Sequence, residues 1–188
     1  MNVFDFDNTI YDGESFVDLF LAVLKKDPSV IRFAPMVISG VLKYKSGKLD
    51  LEQGLAQYAP HFEGYVSGMK DIPGLVKEFW DKNEIKIKPF YEKIRRDDDI
   101  IISASPEFVL AEIGKRIGLK NYIGSDIDPT TGKINFMCFR DNKVKIFKER
   151  YPDVIIDTLY TDSIKDKPLM DISKHVVMVK GNKLTKTK

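Results

Sequence analysis

Two aspartates one residue apart, Asp5 and Asp7, follow the apolar pair Val3-Phe4 and precede the small hydroxyl residue Thr9. Residues i and i+2 of a regular strand share a face, so this spacing sets two like charges side by side, which is unfavourable without a positive charge between them. A divalent cation would supply it, and carboxylate oxygens are what Mg2+ prefers. The reading without chemistry is a strand ending in a polar turn, with Asp7 or Asn8 making an Asx-type hydrogen bond. A second cluster is Asp99-Ile100-Ile101-Ile102-Ser103-Ala104-Ser105-Pro106. Consecutive isoleucines predict a strand buried on both faces, as in a parallel sheet. Ser105 then reads as a helix N-cap and Pro106 as the first helical residue. A strand entering a helix N-terminus through small hydroxyl residues presents free N–H groups and the positive end of the helix dipole to an anion, with Ser103 the better-placed ligand. Asp162 and Asp166 form a third cluster after the hydrophobic stretch 153–161, close enough in sequence for one helical turn to return both to one locale. The helix predicted over 141–150 carries Lys143, Lys145 and Lys148; on spacing alone each reads as surface charge.

These residues need elements to hold them. Glu14 opens a helical pattern in Phe16, Leu19, Phe20, Val23 and Leu24, closed by Lys25-Lys26-Asp27-Pro28. Residues 29–46 read as one or two helices around Pro35, and Asp50 with Gln53 as a capping box for a short helix to Tyr58. Residues 62–80 are again helical in pattern, punctuated by Gly64, Gly68 and Pro73-Gly74. Nothing between 13 and 96 alternates as a strand, which predicts an all-helical insert. Its aromatics, Phe33, Tyr44, Tyr58, Phe62, Tyr65, Phe79 and Trp80, read as a small core of its own. Beyond it, 121–126 is a strand, 128–133 a turn, 134–139 a hairpin return, and His175–Val179 a closing strand, with His175 a structural edge residue. Strands ending in Asp5, Ser103 and Asp162 and separated by helices describe an α/β, doubly wound parallel sheet, whose ligand crevice lies at the carboxyl ends of the strands.

The chain has 188 residues, 43% hydrophobic and 31% charged, with a net charge of +2, a composition for one globular domain with a small insert. Near-neutral charge and no basic aromatic stripe argue against a nucleic-acid partner. One cysteine, Cys138, permits no internal disulfide, and with two distant histidines it builds no zinc site; a reducing cytoplasm is the expected location. A strand beginning at residue 2 leaves no room for a signal peptide. The apolar run from Val30 to Leu42, interrupted by Arg32 and Pro35, is shorter than the about 20 residues a transmembrane helix needs. It reads as a buried helix, with an interfacial segment as the alternative. The lysine-rich tail 180–188 reads as a frayed terminus.

Asp5-Phe6-Asp7-Asn8-Thr9 resembles the first motif, D-x-D-x-T/V, of the haloacid dehalogenase superfamily. The second motif of that family is a strand ending in Ser or Thr, matched by Ser103. The third is a lysine at a helix start, for which Lys143 is the best candidate. The fourth has the form D-x-x-x-D followed by an apolar pair, matched by Asp162, Asp166 and Leu169-Met170. The four occur in order along nearly the whole chain. The resemblance implies a Rossmann-like core of residues 1–12 and 97–188 and a helical cap, of the C1 type, over 13–96. It implies that Asp5 attacks phosphorus, that Asp7 protonates the leaving oxygen and activates water, and that Lys143 shares in neutralising charge. Mg2+ would be held by Asp5, Asp162 and the backbone carbonyl of Asp7, with Asp166 orienting the metal shell. Ser103, Ala104 and neighbouring N–H groups would hold the phosphate. Dehalogenases of the family need no second acid at Asp7, so phosphoryl transfer is favoured, with mutases left open.

The insert's position resembles the phosphoserine-phosphatase-like branch, subfamily IB, in which an acid nine residues after the nucleophile reaches the site; here it is Glu14, which is equally an ordinary helix residue. Glu14-Ser15-Phe16, Ser103-Ala104-Ser105-Pro106 and Tyr160-Thr161-Asp162-Ser163 look like relatives that dephosphorylate phosphatidylglycerophosphate. Those relatives often carry a glycine where this chain has Arg140. The implied function is a Mg2+-dependent phosphohydrolase of a small phosphorylated substrate. The alternatives are a phospholipid head group attacked at the membrane surface, or a silent binding protein that keeps the fold. The sequence leaves the substrate and the oligomeric state open.

Overall fold

The three isoleucines and their apolar counterparts assemble as parallel strands, because each is apolar on both faces and needs cover on both. The computed structural model describes residues 1–45, 63–69 and 71–188. Seven strands, β1 (Asn2–Phe4), β2 (Ile100–Pro106), β3 (Asn121–Ile127), β4 (Ile134–Phe136), β5 (Ile156–Thr161), β6 (Ser173–Lys180) and β7 (Lys183–Lys186), form one sheet in the order β4-β3-β2-β1-β5-β6-β7. The five inner strands are parallel, and β4 and β7 close the two edges antiparallel. β1 is central, between β2 and β5, so the chain winds outward from it in both directions. Helices α1 (Ser15–Lys26), α2 (Ala34–Lys45), α3 (Ile72–Asn83) and α4 (Pro89–Ile94) lie between β1 and β2. Three more follow: α5 (Glu107–Ile117), α6 (Asp141–Arg150) and α7 (Lys167–Ile172).

Several sequence expectations are corrected here. β1 stops at Phe4, because the Phe6 carbonyl accepts the N–H groups of Thr9, Ile10 and Tyr11 and turns the chain; Asp5 and Asp7 are therefore not successive residues of one strand face. β2 continues through Ser105 to Pro106, and α5 starts at Glu107 with no side-chain cap. The tail is not frayed: Gly181, at φ 59, allows the reversal that folds β7 back on Val177–Lys180 of β6; His175 precedes that pairing, exposed and opposite Thr158 of β5. In the run 30–42, Val30 is buried but Ile31, Ile38 and Leu42 are exposed. The run is split into a 3-10 helix, Pro28–Phe33, and α2, and is not one buried helix. The Asp50–Gln53 cap, the helix to Tyr58, and Tyr58 and Phe62 themselves lie outside the described residues, as does the side chain of Tyr44.

The insert's aromatics divide. Phe33 and Tyr65 pair with each other, ring centroids 5.3 Å apart. Phe79 and Trp80, expected in a separate small core, join Phe4, Phe6, Tyr11, Val109, Leu110 and Ile113 in one hydrophobic cluster. Trp80 meets the rings of Phe6 and Tyr11 edge-on and donates its indole N–H to the Val109 carbonyl at 3.0 Å. Arg116 of α5 holds the same helix from outside, through Asp81 at 2.8 Å, Glu84 at 3.2 Å and the carbonyl of Lys77 at 3.0 Å. Thus α3 is part of the main core, whatever the cap does as a unit.

The two passages between sheet and insert are fastened to each other. Asp12 N–H donates to the Lys86 carbonyl at 2.9 Å and Lys88 N–H to the Ile10 carbonyl at 2.8 Å, with Tyr11 and Ile87 bridged antiparallel. At the opposite corner the β3–β4 turn touches the insert at Gly132 (φ 76), where a Cβ would lie 2.7 Å from Val66 Cβ.

Candidate active site

Because β1, β2 and β5 are adjacent and parallel, their carboxyl ends deliver Asp5, Ser103 and Asp162 to one edge of the sheet. Lys143, in the first turn of α6, reaches the same place. Its ammonium lies 2.8 Å from Asp5 Oδ1 and 2.8 Å from Asp166 Oδ1, with all three side chains nearly buried. Lys145 and Lys148 on the same helix are exposed. Asp166 is fixed in turn by the Thr161 hydroxyl, 2.7 Å from Oδ2.

Asp162, just past the end of the strand paired with β1, feels the charges of Asp166 and Glu14. Thr9 sets its place: the Thr9 hydroxyl oxygen accepts Asp162 N–H at 2.9 Å, and Thr9 is fully buried. Glu14 precedes α1 and accepts a hydrogen bond from Asn8 Nδ2 at 2.9 Å. Asp7 faces the other way around the turn, with Oδ1 accepting Ser15 N–H at 2.7 Å and Oδ2 the Ser105 hydroxyl at 2.8 Å. Ser103 is buried, its Oγ accepting the Ser105 N–H at 3.1 Å; the Ala104 carbonyl accepts the Ser125 hydroxyl at 2.7 Å.

This crowding shows in the protonation equilibria. Burial raises the Asp5 carboxyl well above the usual carboxylate value; Lys143 opposes the rise, and Asp166 and Asp162 add to it. Burial also raises Asp7, against its hydrogen bonds from Ser15 and Ser105, and burial and Asp166 raise Asp162. For Lys143 burial works downward, but Asp166 and Asp5 together carry it well above the ordinary lysine value. The arrangement therefore concentrates negative charge around one buried ammonium. Cys138, beneath it, is held by burial as a neutral thiol, its pKa pushed up to about 12.

Among the described residues no three His, Cys, Asp or Glu side chains make a metal cluster by themselves. Mg2+ does not need one: it is commonly held by one or two carboxylates, with waters and substrate oxygens completing an octahedron. Asp5 and Asp162, delivered by the adjacent parallel strands β1 and β5 to one edge of the sheet, offer that ion two carboxylates.

One residue here carried no signal in the sequence. Lys88, a lysine before a proline, is buried, and its ammonium bonds the carbonyl of Asn8; burial lowers its pKa against the attraction of Asp12 and Asp162. Arg140 has φ 48 and ψ −119, and Asn142 N–H donates to the Phe139 carbonyl at 3.0 Å. These are the dihedrals of the first central residue of a type II′ turn, a position that favours glycine.

The family model for haloacid dehalogenase-like hydrolases matches residues 3–171. No curated protein matches the chain. Among solved structures, a Bordetella pertussis Tohama I protein of unknown function is similar with a TM-score of 0.75 and 19% identity over 95% of this chain and 88% of that one. A phosphoserine phosphohydrolase-like protein from Francisella tularensis SCHU S4 gives a TM-score of 0.61 and 15% identity over 95% and 87%. A substrate-bound phosphoserine phosphatase gives 0.56 and 17% over 93% and 82%. At such identities the likeness is one of fold.

Proposed function

Since the chain belongs to the haloacid dehalogenase-like hydrolase family, we propose that it is a Mg2+-dependent phosphatase that cleaves a phosphomonoester through an aspartyl-phosphate on Asp5. The observation that carries the reading is Lys143 Nζ, 2.8 Å from Asp5 Oδ1 and from Asp166 Oδ1. A buried ammonium keeps Asp5 available as an anion, orients its oxygen, and offsets the repulsion between an anionic nucleophile and an anionic substrate.

In the first step an Asp5 oxygen bonds phosphorus as the ester P–O bond breaks, and the departing oxygen takes the proton of Asp7. In the second, Asp7 takes a proton from water, which displaces Asp5 from phosphorus and releases inorganic phosphate. Ser103 and the backbone N–H of Ala104 hold the phosphoryl oxygens. Glu14 faces the leaving group, and residues 13–96 act as the cap over it. Mg2+, held by Asp5, Asp162 and the Asp7 carbonyl with Asp166 behind them, would supply positive charge to the transferring group. The substrate is a small phosphorylated molecule. The exposed Ile31, Ile38 and Leu42, next to Arg32, favour as a second reading a phospholipid head group met at a membrane surface; no described helix is long and apolar enough to cross one. A cytoplasmic setting is part of the proposal.

The test is phosphate release from a panel of phosphomonoesters, including phosphoserine, sugar phosphates and phosphatidylglycerophosphate in micelles, in Mg2+ or EDTA. Mg2+-dependent release abolished by Asp5→Asn supports the reading. A folded wild type inert on the whole panel overturns it in favour of a binding protein that keeps the fold.

A further inference from the structure

Two buried serines from distant parts of the chain meet behind Asp7. Ser105, on β2, donates its hydroxyl to Asp7 Oδ2 at 2.8 Å, while Ser15, the first residue of α1, donates its backbone N–H to Oδ1 at 2.7 Å. Their hydroxyl oxygens are 2.9 Å apart. A carboxylate only accepts, and a hydroxyl has one proton to give. Ser105 uses its proton on Asp7, so between the serines Ser15 donates and Ser105 accepts. Ser105 is 3% exposed and Ser15 0%, so water does not substitute for either partner. The Ser105 N–H, bonded to Ser103 Oγ at 3.1 Å, fixes the backbone that carries it.

Resting on the hydrolase reading above, we infer that Ser105 is a positioning residue for the acid–base carboxyl of Asp7, with Ser15 setting the direction of the Ser105 hydroxyl. Neither serine gains or loses a proton. Their effect is geometric: with both carboxyl oxygens held from β2 and from the first residue of the insert, one orientation of Asp7 is available to the departing ester oxygen. Proton transfer to a leaving group depends on that placement, and a positioned acid contributes about 10²- to 10⁴-fold.

The leaving group discriminates this role from a structural one. An alkyl phosphate expels an alkoxide that must take the Asp7 proton to leave as an alcohol; p-nitrophenyl phosphate expels a phenolate that is stable without it. kcat/KM reports only the steps through that departure, so activation of water does not enter. Ser105→Ala is expected to lower kcat/KM for the alkyl ester about 10- to 100-fold and for p-nitrophenyl phosphate less than about 3-fold, on the scale of a residual binding effect. Asp7→Ala, as the control, shows the same asymmetry more strongly. Ser105→Thr, which keeps the hydroxyl, restores most of the loss. Ser15→Ala, which keeps the N–H bond to Asp7, gives a smaller loss of the same pattern and stands in if the Ser105 variants fail to fold.

Equal losses on both esters, or none on either, overturn the positioning role while leaving the hydrolase reading in place. A wild type that cleaves neither ester, nor any other on the panel, overturns the hydrolase reading and this inference with it.

Discussion

Replacing Lys143 with methionine keeps most of the side chain's length and removes its charge. In the native fold that charge sits 2.8 Å from a carboxylate oxygen of each of Asp5 and Asp166, and all three side chains are at most 13% exposed. Breaking a buried pair costs about 3–5 kcal/mol, because the surviving charge stays desolvated; here two carboxylates are left. With a urea m-value of about 2 kcal/mol/M, the transition midpoint should fall by about 1.5–2.5 M. The measurement is urea unfolding in EDTA, so that no divalent cation replaces the missing charge. Its pH dependence follows from the sign of the Asp5 shift. The folded state binds the Asp5 proton more tightly than the unfolded state does, so that contribution to stability is complete below the ordinary value of 3.8. It is lost as pH rises through the raised one. Lys143 opposes that rise, and its removal carries the Asp5 value higher still. The deficit of the variant is therefore largest near neutral pH and shrinks in acid, where protonated carboxyls need no counter-charge. A deficit under about 1 kcal/mol, the worth of an exposed pair, or one that does not change with pH, would refute the assignment of Lys143 as the buried counter-charge.

Thr9→Val keeps the shape of the side chain but leaves the Asp162 N–H without its acceptor; it should cost about 1–3 kcal/mol in urea unfolding and weaken Mg2+ binding measured by calorimetry. Arg140→Gly relieves the left-handed turn before α6 and should raise stability by about 1 kcal/mol, read as an upward shift in Tm; a fall would show that the arginine's own contacts outweigh its strain. Trp80→Ala removes the ring that joins α3 to Phe6 and Tyr11 and should cost about 3–5 kcal/mol, with loss of the whole folding transition's height rather than a separate early unfolding of the insert.

Much of the candidate site was legible because it is written in residue type at strand ends. Asp5, Ser103 and Asp162 are each an acid or hydroxyl where an apolar run stops, and the sheet brings those ends together; Lys143, a surface charge on spacing alone, stood out only through the resemblance. What escaped depends on partners rather than patterns. Ser105 before a proline looks like a helix cap, yet its N–H is taken by Ser103 and its hydroxyl by Asp7, so the strand continues past it. The capping rule describes local competition for a hydrogen bond, and here a residue 98 positions away wins it. Thr9 was visible as part of a motif, but its bond to the Asp162 N–H, 153 residues distant, is a product of the parallel pairing of β1 with β5. Nothing local to Lys88 announces the Asn8 carbonyl that receives its ammonium. Helical periodicity gave Phe79 and Trp80 an apolar face without saying whether insert or sheet would meet it, and contact with Phe6 and Tyr11 decided that. The tail's pairing turns on Gly181, a single residue in a lysine-rich stretch whose composition suggested the opposite.

The fastening of 10–12 to 86–88 has a consequence for how such a chain can change. With the two passages bonded to each other at the sheet, whatever lies between them is a loop whose ends are already joined. The entropy of closing a loop rises only with the logarithm of its length, about 0.6 kcal/mol for each doubling. Residues between those passages can therefore be added, lost or exchanged over evolutionary time at small thermodynamic expense and without altering strand order. Among the described residues, α3, pinned by Trp80 and Arg116, and the start of α1, where Ser15 binds Asp7, limit that freedom. Variation can accumulate on one side of this clasp while the strand order on the other side stays as it is.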